Sequence, residues 1–154
     1  MDRATARRAE RSDIPVLVEL MREFYEESSF PLDGDWSARA FDMLITEPAY
    51  GAAWLIEYGR VPVGHVVLSV RFTMEFGGLS GYVDDLFVRS PYRRKGGASA
   101  GLDDLLAECH RRGCHSVQVE VGSDNHGAQA LYRRHGLIPG DDGRQTLRLV
   151  CPVP

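Results

Sequence analysis

The sequence of 154 residues lacks the features that mark membrane, secreted and nucleic-acid-binding proteins. No apolar run approaches the roughly 18 residues that a membrane helix requires. The first residues also lack the apolar stretch of a secretory signal. The formal net charge is −4, which argues against general nucleic-acid binding because that function needs a basic surface. We therefore expect a cytoplasmic protein without a membrane or nucleic-acid partner.

Cysteine is scarce as well. Cys109, Cys114 and Cys151 are an odd number without extracellular context, so we expect reduced thiols. The segment 109–115, CHRRGCH, has some likeness to a metal or haem-attachment motif, but too many residues separate its cysteines. A helix that ends at Gly113 and leads into a strand explains the segment without a ligand. We expect no metal site.

The remaining composition is that of an ordinary globular protein, with 44% apolar and 26% charged residues. This content is enough to build a hydrophobic core. No internal repeat, low-complexity tract or long linker interrupts the chain. Its length suits one domain, so we predict a single domain over 1–154.

The spacing of hydrophobic residues changes along the chain between the helical period and the strand period, which gives the order of the predicted elements. Helices are predicted at 14–25, 37–46, 98–112 and 128–135. Strands are predicted at 5–9, 52–58, 66–72, 82–88 and 116–121, with further strands at 137–138 and 146–150. The strand–helix–strand order over 82–121 implies a parallel pair, whereas the short turns before it imply antiparallel hairpins. We predict an α/β (α+β) fold: a mixed, mostly antiparallel sheet of six or seven strands with helices on both faces.

The segment 92–99, YRRKGGAS, lies between a predicted strand and a predicted helix. It combines three positive charges, two glycines and a helix start, so main-chain N–H groups there can hold a phosphate. The spacing matches neither the P-loop nor the dinucleotide-binding glycine fingerprint. Taken alone, the segment is equally a solvated basic turn.

A second segment, 125–137 with the sequence NHGAQALYRRHGL, follows the next strand. The two segments together resemble the GNAT superfamily of acyl-CoA-dependent N-acetyltransferases. The first matches the family's Arg/Gln-x-x-Gly-x-Gly/Ala loop, and the second its Asn-x-x-Ala-x-x-x-Tyr-x-x-x-Gly-Phe/Leu helix. The resemblance is strong over 82–137 and weaker over 8–70, where only the order of elements fits.

This resemblance implies acetyl-CoA as co-substrate and a slot for it between the splayed strands 82–88 and 116–121. The loop amides would hold the pyrophosphate, the first of these strands would pair with the pantetheine arm, and the N–H near Leu86 would polarise the thioester carbonyl. Asn125 would brace the arm or a neighbouring strand. The implied cofactor-binding residues are Leu86, Phe87, Val88, Arg93, Arg94, Lys95, Gly96, Gly97, Ala98, Ser99, Asn125 and Tyr132.

The resemblance also suggests two catalytic roles. Tyr132 would be the general acid that protonates the departing thiolate, although it could simply pack against its own helix. Asp84 would accept the amine proton through water, because strict alternation places it on the face of Leu86 and Val88. Asp85 is the second candidate, as a base or as a binder of a cationic substrate, and both carboxylates could be charged strand-edge residues. The histidines form no recognisable catalytic or metal-binding group with one another. His65 lies on the polar side of its strand.

Acidic and aromatic residues are concentrated in the region that would form the acceptor site. Tyr25, Glu26 and Phe30, with Asp84 and Asp85, suit a small cationic primary amine; Asp33 and Asp35 lie in the same region. A protein or peptide amine and a non-catalytic acetyl-CoA-binding regulatory module remain open as alternatives. By resemblance, a homodimer is also open.

One residue departs from the family pattern. Gly97 occupies a position where the family usually has Ile, Val or Leu packed beneath the loop. The loss of that side chain predicts less core contact and a more flexible loop.

Overall fold

A computed structural model describes residues 3–32, 34–140 and 143–151. The elements in chain order are β1 (Ala4–Arg8), α1 (Ile14–Glu27), α2 (Gly34–Thr46), β2 (Gly51–Tyr58), β3 (Val61–Thr73), β4 (Gly78–Val88), α3 (Gly97–Arg111), β5 (Ser116–Val119) and α4 (His126–Arg134). Single 3₁₀ turns precede α1 at Arg11–Asp13 and follow β4 at Ser90–Tyr92.

The strands form one sheet in the order β1-β2-β3-β4-β5. Every pairing is antiparallel except β4 with β5, which is parallel, and this confirms the predicted mixed fold class. The prediction of six or seven strands was too high, because the described residues contain five. The segments 137–138 and 146–150 form no strand. Leu147 and Leu149 are 88% and 86% exposed, so the alternating pattern there has no core to pack against.

Helices cover both faces of the sheet. Leu17 and Leu20 of α1 and Phe41 of α2 pack against strand residues such as Leu55 and Val67 on one face. On the other face, α3 and α4 contribute a second apolar cluster: Leu102, Leu105, Leu131 and Tyr132 pack against Trp54, Val66, Leu68 and Val83. We call these the α1–α2 face and the α3–α4 face. Both faces are therefore buried, including the side of β3 that carries His65.

The register between β3 and β4 shifts at Asp84. Val67 pairs with Asp85 while Leu68 pairs with Val83, so Asp84 is the extra residue of a β-bulge. Val83 and Leu86 consequently both contact the cluster of the α3–α4 face, three positions apart. Strict alternation, which placed Asp84 on the face of Leu86, was therefore wrong at this point. A bulge depends on the partner strand, so the local pattern could not predict it.

The start of α3 lies close against β2. Gly97 is buried, and a Cβ built there would lie 2.8 Å from Ile56 Cγ2 and 3.2 Å from Ala4 Cβ. At Gly101, one turn later, a Cβ would lie 3.2 Å from Ile56 Cδ1. Ile56 thus fills the space that a larger residue at position 97 would occupy. The expected loss of core contact at Gly97 is not found, because the neighbouring strand supplies the missing side chain.

Candidate active site

A cleft opens where β4 and β5 separate. The two strands pair only from Ser80 with Ser116 to Val83 with Val119, whereas β4 continues to Val88. The predicted slot is present, with a cavity of about 580 Å³. Of the predicted cofactor-binding residues, Leu86, Phe87, Val88, Arg93, Arg94, Gly96, Gly97, Ala98, Ser99, Asn125 and Tyr132 line it.

Lys95 is the predicted cofactor-binding residue that does not line the cleft, and the cleft lining also lacks the predicted acceptor and carboxylate residues Tyr25, Glu26, Phe30, Asp84 and Asp85. Its ammonium lies 5.3 Å from the centre of the Tyr58 ring, and its carbonyl accepts a hydrogen bond from Ala4 N. Sequence reasoning missed several lining residues: Phe24, Glu27, Tyr92, Gly127, Ala128, Leu131 and Arg134. Those on α4 fall within the recognised motif and could have been found. Phe24 and Glu27 are on α1, distant in sequence from both motifs; they belong to the acidic and aromatic region expected to form the acceptor site, and no local signal places them in the cofactor cleft.

The loop before α3 has the geometry of an anion site. Arg94 and Gly96 have φ of 65° and 82°, in the left-handed region. A backbone that alternates between the left-handed region and negative φ turns successive N–H groups toward one side. The hydrogen bond from Ala100 N to Gly96 O begins the helix, so the N–H groups of the first turn have no helical acceptor. These donors and the positive end of the helix dipole suit the pyrophosphate of acetyl-CoA.

Arg93 joins the loop to α1 across the cleft. Its Nε donates to Val88 O at 2.7 Å, and its Nη2 lies 2.6 Å from Glu27 Oε1. The guanidinium also lies 5.8 Å from the centre of the Phe87 ring. Arg93 therefore ties the end of β4 to α1, which leaves Arg94 as the less restrained cation of the loop.

Tyr132 enters the cleft from α4. Asn125 caps this helix, because its side-chain oxygen accepts a hydrogen bond from Ala128 N at 3.1 Å. Asn125 thus fixes the start of the helix that carries Tyr132. The Tyr132 side chain is 8% exposed, and desolvation raises its pKa to about 12. The hydroxyl is protonated at neutral pH, which is the form that a general acid requires.

On the α1–α2 face, Asp85 contacts two ionisable neighbours. Tyr25 Oη lies 3.5 Å from Asp85 Oδ1, and His65 Nε2 lies 3.6 Å from Asp85 Oδ2. Asp85 is 7% exposed and His65 is fully buried. Desolvation, followed by repulsion from Asp85 and Asp84, raises the pKa of Tyr25 to about 12. The structure therefore brings the predicted residues Tyr25 and Asp85 together and adds His65 to them.

Asp84 lies at the exposed bulge beside other acidic groups. Desolvation raises its pKa, and repulsion from Asp85 and Glu120 raises it further. Burial raises the pKa of Tyr82 to about 12, and the neighbouring Glu120 contributes to the rise. Asp84 thus has two acidic neighbours near the point where β4 and β5 separate, and their charges attract a cation.

The remaining predicted acceptor residues lie further out. The Phe30 ring is 64% exposed and meets the Tyr25 ring edge to face at 6.2 Å. Glu26 is exposed on the last turn of α1. Asp33 and the side chain of Asp35 are outside the described residues.

Within the described ranges, no group of three or more His, Cys, Asp or Glu side chains could hold a metal ion. None of the helices described is both long and apolar enough to cross a bilayer.

Comparisons with known proteins agree with this fold. The model of the acetyltransferase (GNAT) family matches residues 16–137. An integron cassette protein, HFX_CASS3, from the mobile metagenome of Cole Harbour Salt Marsh is 39% identical with a TM-score of 0.84, over 97% of this chain and 92% of that one. A predicted acetyltransferase from Clostridium acetobutylicum, solved with acetyl-CoA, is 17% identical with a TM-score of 0.77, over 94% and 96%. The aminoglycoside N-acetyltransferase AAC(6')-Iy, in complex with CoA, is 14% identical with a TM-score of 0.82, over 98% and 97%. Curated protein sequences give no significant match.

Proposed function

Because the chain belongs to the acetyltransferase (GNAT) family, we propose that it transfers an acetyl group from acetyl-CoA to the primary amine of a small, cationic acceptor. The amine attacks the thioester directly. The observation that carries this proposal is the cleft between β4 and β5, whose lining joins an anion-binding loop to a protonated tyrosine; Asp84 and Asp85 precede the lining residue Leu86 on β4.

The cofactor half of the cleft supports acetyl-CoA binding. Acetyl-CoA supplies an activated acyl group and a negatively charged pyrophosphate. The first-turn amides of α3 and the side chain of Arg94 would hold the pyrophosphate. The edge of β4 beyond Val83 has no β5 partner, so its main-chain groups are available to the pantetheine amides. We assign the polarisation of the thioester carbonyl to the N–H near Leu86.

The reaction requires two proton transfers, and we assign a residue to each. Tyr132 would donate its hydroxyl proton to the departing thiolate. Before attack the acceptor must lose a proton, because an ammonium has no lone pair. We assign this proton to Asp85, since the bulge removes the reason for preferring Asp84 and Asp85 contacts Tyr25 on the α1–α2 face. Asp84 would then attract the cationic acceptor together with Glu120.

Charge supports a cationic acceptor. No lysine or arginine pairs with Asp84, Asp85 or Glu120 in the part of the chain that the structure describes. A positively charged amine would relieve their mutual repulsion. Tyr25 and Phe30 add aromatic faces that can contact a cation.

Thiol release from acetyl-CoA across a panel of amines tests the proposal. The panel contains a polyamine, an aminoglycoside, a lysine derivative and a peptide amine, each beside a neutral or anionic amine of similar size. We expect amine-dependent release that is faster for the cationic member of each pair. Tight acetyl-CoA binding without amine-dependent release would instead indicate a regulatory module, and release only with the peptide would indicate a protein acceptor.

A further inference from the structure

His65 is a buried ionisable side chain without an evident structural role. It lies on β3 with 0% exposure, and neither ring nitrogen has a hydrogen-bond partner within the described residues. Buried polar atoms in proteins are nearly always paired, because an unpaired one loses its hydration without compensation. An imidazole here therefore needs an explanation beyond packing.

The neighbours of His65 make the imidazole still less expected. The rings of Phe24, Phe41 and Phe87 lie with their centres 6.3, 6.4 and 6.2 Å from the imidazole. These rings come from α1, α2 and β4, so they enclose His65 from three elements. A phenyl ring would suit this site better than an imidazole if filling space were the only requirement.

The imidazole has one polar neighbour, and this neighbour leads toward the acceptor site. His65 Nε2 lies 3.6 Å from Asp85 Oδ2, and the other oxygen of Asp85 lies 3.5 Å from Tyr25 Oη. His65, Asp85 and Tyr25 thus form a line from the core to the partly exposed α1 side chain. Asp85 is the only one of the three that touches both others.

We propose that His65 is a positioning and proton-holding partner of Asp85, and that the His65–Asp85 pair receives the proton of the acceptor ammonium. This proposal rests on the proposed acetyl transfer. The ammonium loses one proton to Asp85, through the Tyr25 hydroxyl or water, and the imidazole shares it. After the amine attacks, its second proton replaces the one that Tyr132 gives to the thiolate. The pair then releases its proton to solvent, so one proton leaves per acetyl group transferred.

The charges around the pair favour this uptake. Tyr25 faces Asp85 from α1, Asp84 lies beside it on β4, and Glu120 follows β5. Phe41 of α2 contacts the His65 ring, and Leu55 is the β2 residue paired with His65; both side chains are apolar. The acidic groups attract a cationic acceptor toward the pair.

The pH dependence of kcat/KM for a cationic amine tests the pair. We compare the wild type with His65→Phe, His65→Gln, Asp85→Asn and the double variant His65→Phe/Asp85→Asn. His65→Phe removes the proton site and should fold, because it replaces unpaired nitrogens by a ring that matches its neighbours. His65→Gln keeps a hydrogen-bond donor but cannot hold a proton. Acetyl-CoA binding and denaturant unfolding confirm that each variant is folded.

We expect both His65 variants to lower the plateau of kcat/KM about tenfold and to move its acidic limb about one pH unit lower, because Asp85 alone is a weaker base. Acetyl-CoA affinity should stay unchanged. The double variant should be no slower than Asp85→Asn, since the two residues act as a unit.

Three results would overturn the inference. Folded His65 variants with the wild-type profile would make His65 a packing residue. A wild-type profile in His65→Gln together with a loss in His65→Phe would show that hydrogen bonding, not proton holding, is the role. Absence of amine-dependent release in the wild type would contradict the proposed function and, with it, this inference; the first two results would contradict the inference alone.

Discussion

Two carboxylates are equally buried in this protein and have opposite surroundings. Glu108 on α3 is 6% exposed and Asp85 on β4 is 7% exposed. Glu108 lies 2.6 Å from Arg111, 3.0 Å from Arg8 and 3.4 Å from Arg112. The hydrogen bonds from Arg111, with those from Arg8, hold the pKa of Glu108 down at about 2. Asp85 has no arginine or lysine partner among the described residues and contacts His65 and Tyr25 instead.

This difference indicates a structural role for Glu108 and supports the proposed functional role of Asp85. Glu108 joins β1 to the end of α3, and its arginines make the buried charge favourable. Asp85 is buried without such compensation, beside a cleft and next to other acidic groups. Uncompensated ionisable groups are concentrated at functional sites because chemistry, not stability, requires them there. The contrast can be tested by changing each carboxylate to its amide.

The largest expected effect is on activity, at Asp85. Asp85→Asn should lower kcat/KM for a cationic amine by about 10³-fold, within the range of a lost general base. Its free energy of unfolding should stay within about 1 kcal/mol of the wild type, because no arginine or lysine loses its counter-charge. Steady-state thiol release and denaturant unfolding measure the two quantities. A large loss of stability with activity retained would give Asp85 the structural role that we assign to Glu108.

Tyr132, the proposed general acid, lies on the α3–α4 face, to which the helix of Glu108 also belongs. Tyr132→Phe should lower kcat by about 10²-fold because the thiolate loses its proton donor. Acetyl-CoA affinity, measured by calorimetry, should change little. Tyr50→Phe serves as the control, because Tyr50 is 52% exposed and outside the cleft. Equal turnover in both variants would remove Tyr132 from the mechanism.

Glu108→Gln should show the opposite pattern to Asp85→Asn. We expect a loss of about 2 kcal/mol in the free energy of unfolding at pH 7, with kcat nearly unchanged. Its folded pKa of about 2 lies below the ordinary value of 4.5. The stabilisation is therefore fully present above pH 4.5 and is lost as the pH falls through about 2. Unfolding curves of the two proteins should converge over that window, and a constant difference would contradict the ion-pair account.

The smallest effect tests packing beneath the cofactor loop. Gly97→Val should lower stability by about 1–2 kcal/mol, because the new side chain meets Ile56. Ile56→Ala creates the space that the valine needs, so the double variant should be more stable than the sum of the single changes predicts. Chemical denaturation of the wild type, the two single variants and the double variant measures the four stabilities of this double-mutant cycle. Additive losses would show that Gly97 and Ile56 do not share this space.

The sequence predicted features that depend on local spacing and missed those that depend on partner strands. The loop before α3 and the helix from Asn125 to Tyr132 were placed correctly because short motifs define them. The bulge at Asp84 comes from the register with β3, which no local pattern contains. His65 was placed on a polar side of its strand, but helices cover both faces of the sheet, so that side is buried. The segment 146–150 has strand periodicity but no neighbouring strand.

The most direct test of the account is the stoichiometry of a single reaction. Wild-type protein is incubated with acetyl-CoA and the best cationic amine, and free coenzyme A and acetylated amine are measured together. The account predicts that the two products appear in equal amounts and at rates that depend on the amine concentration. Coenzyme A that appears without acetylated amine, or bound acetyl-CoA that remains intact, would contradict it.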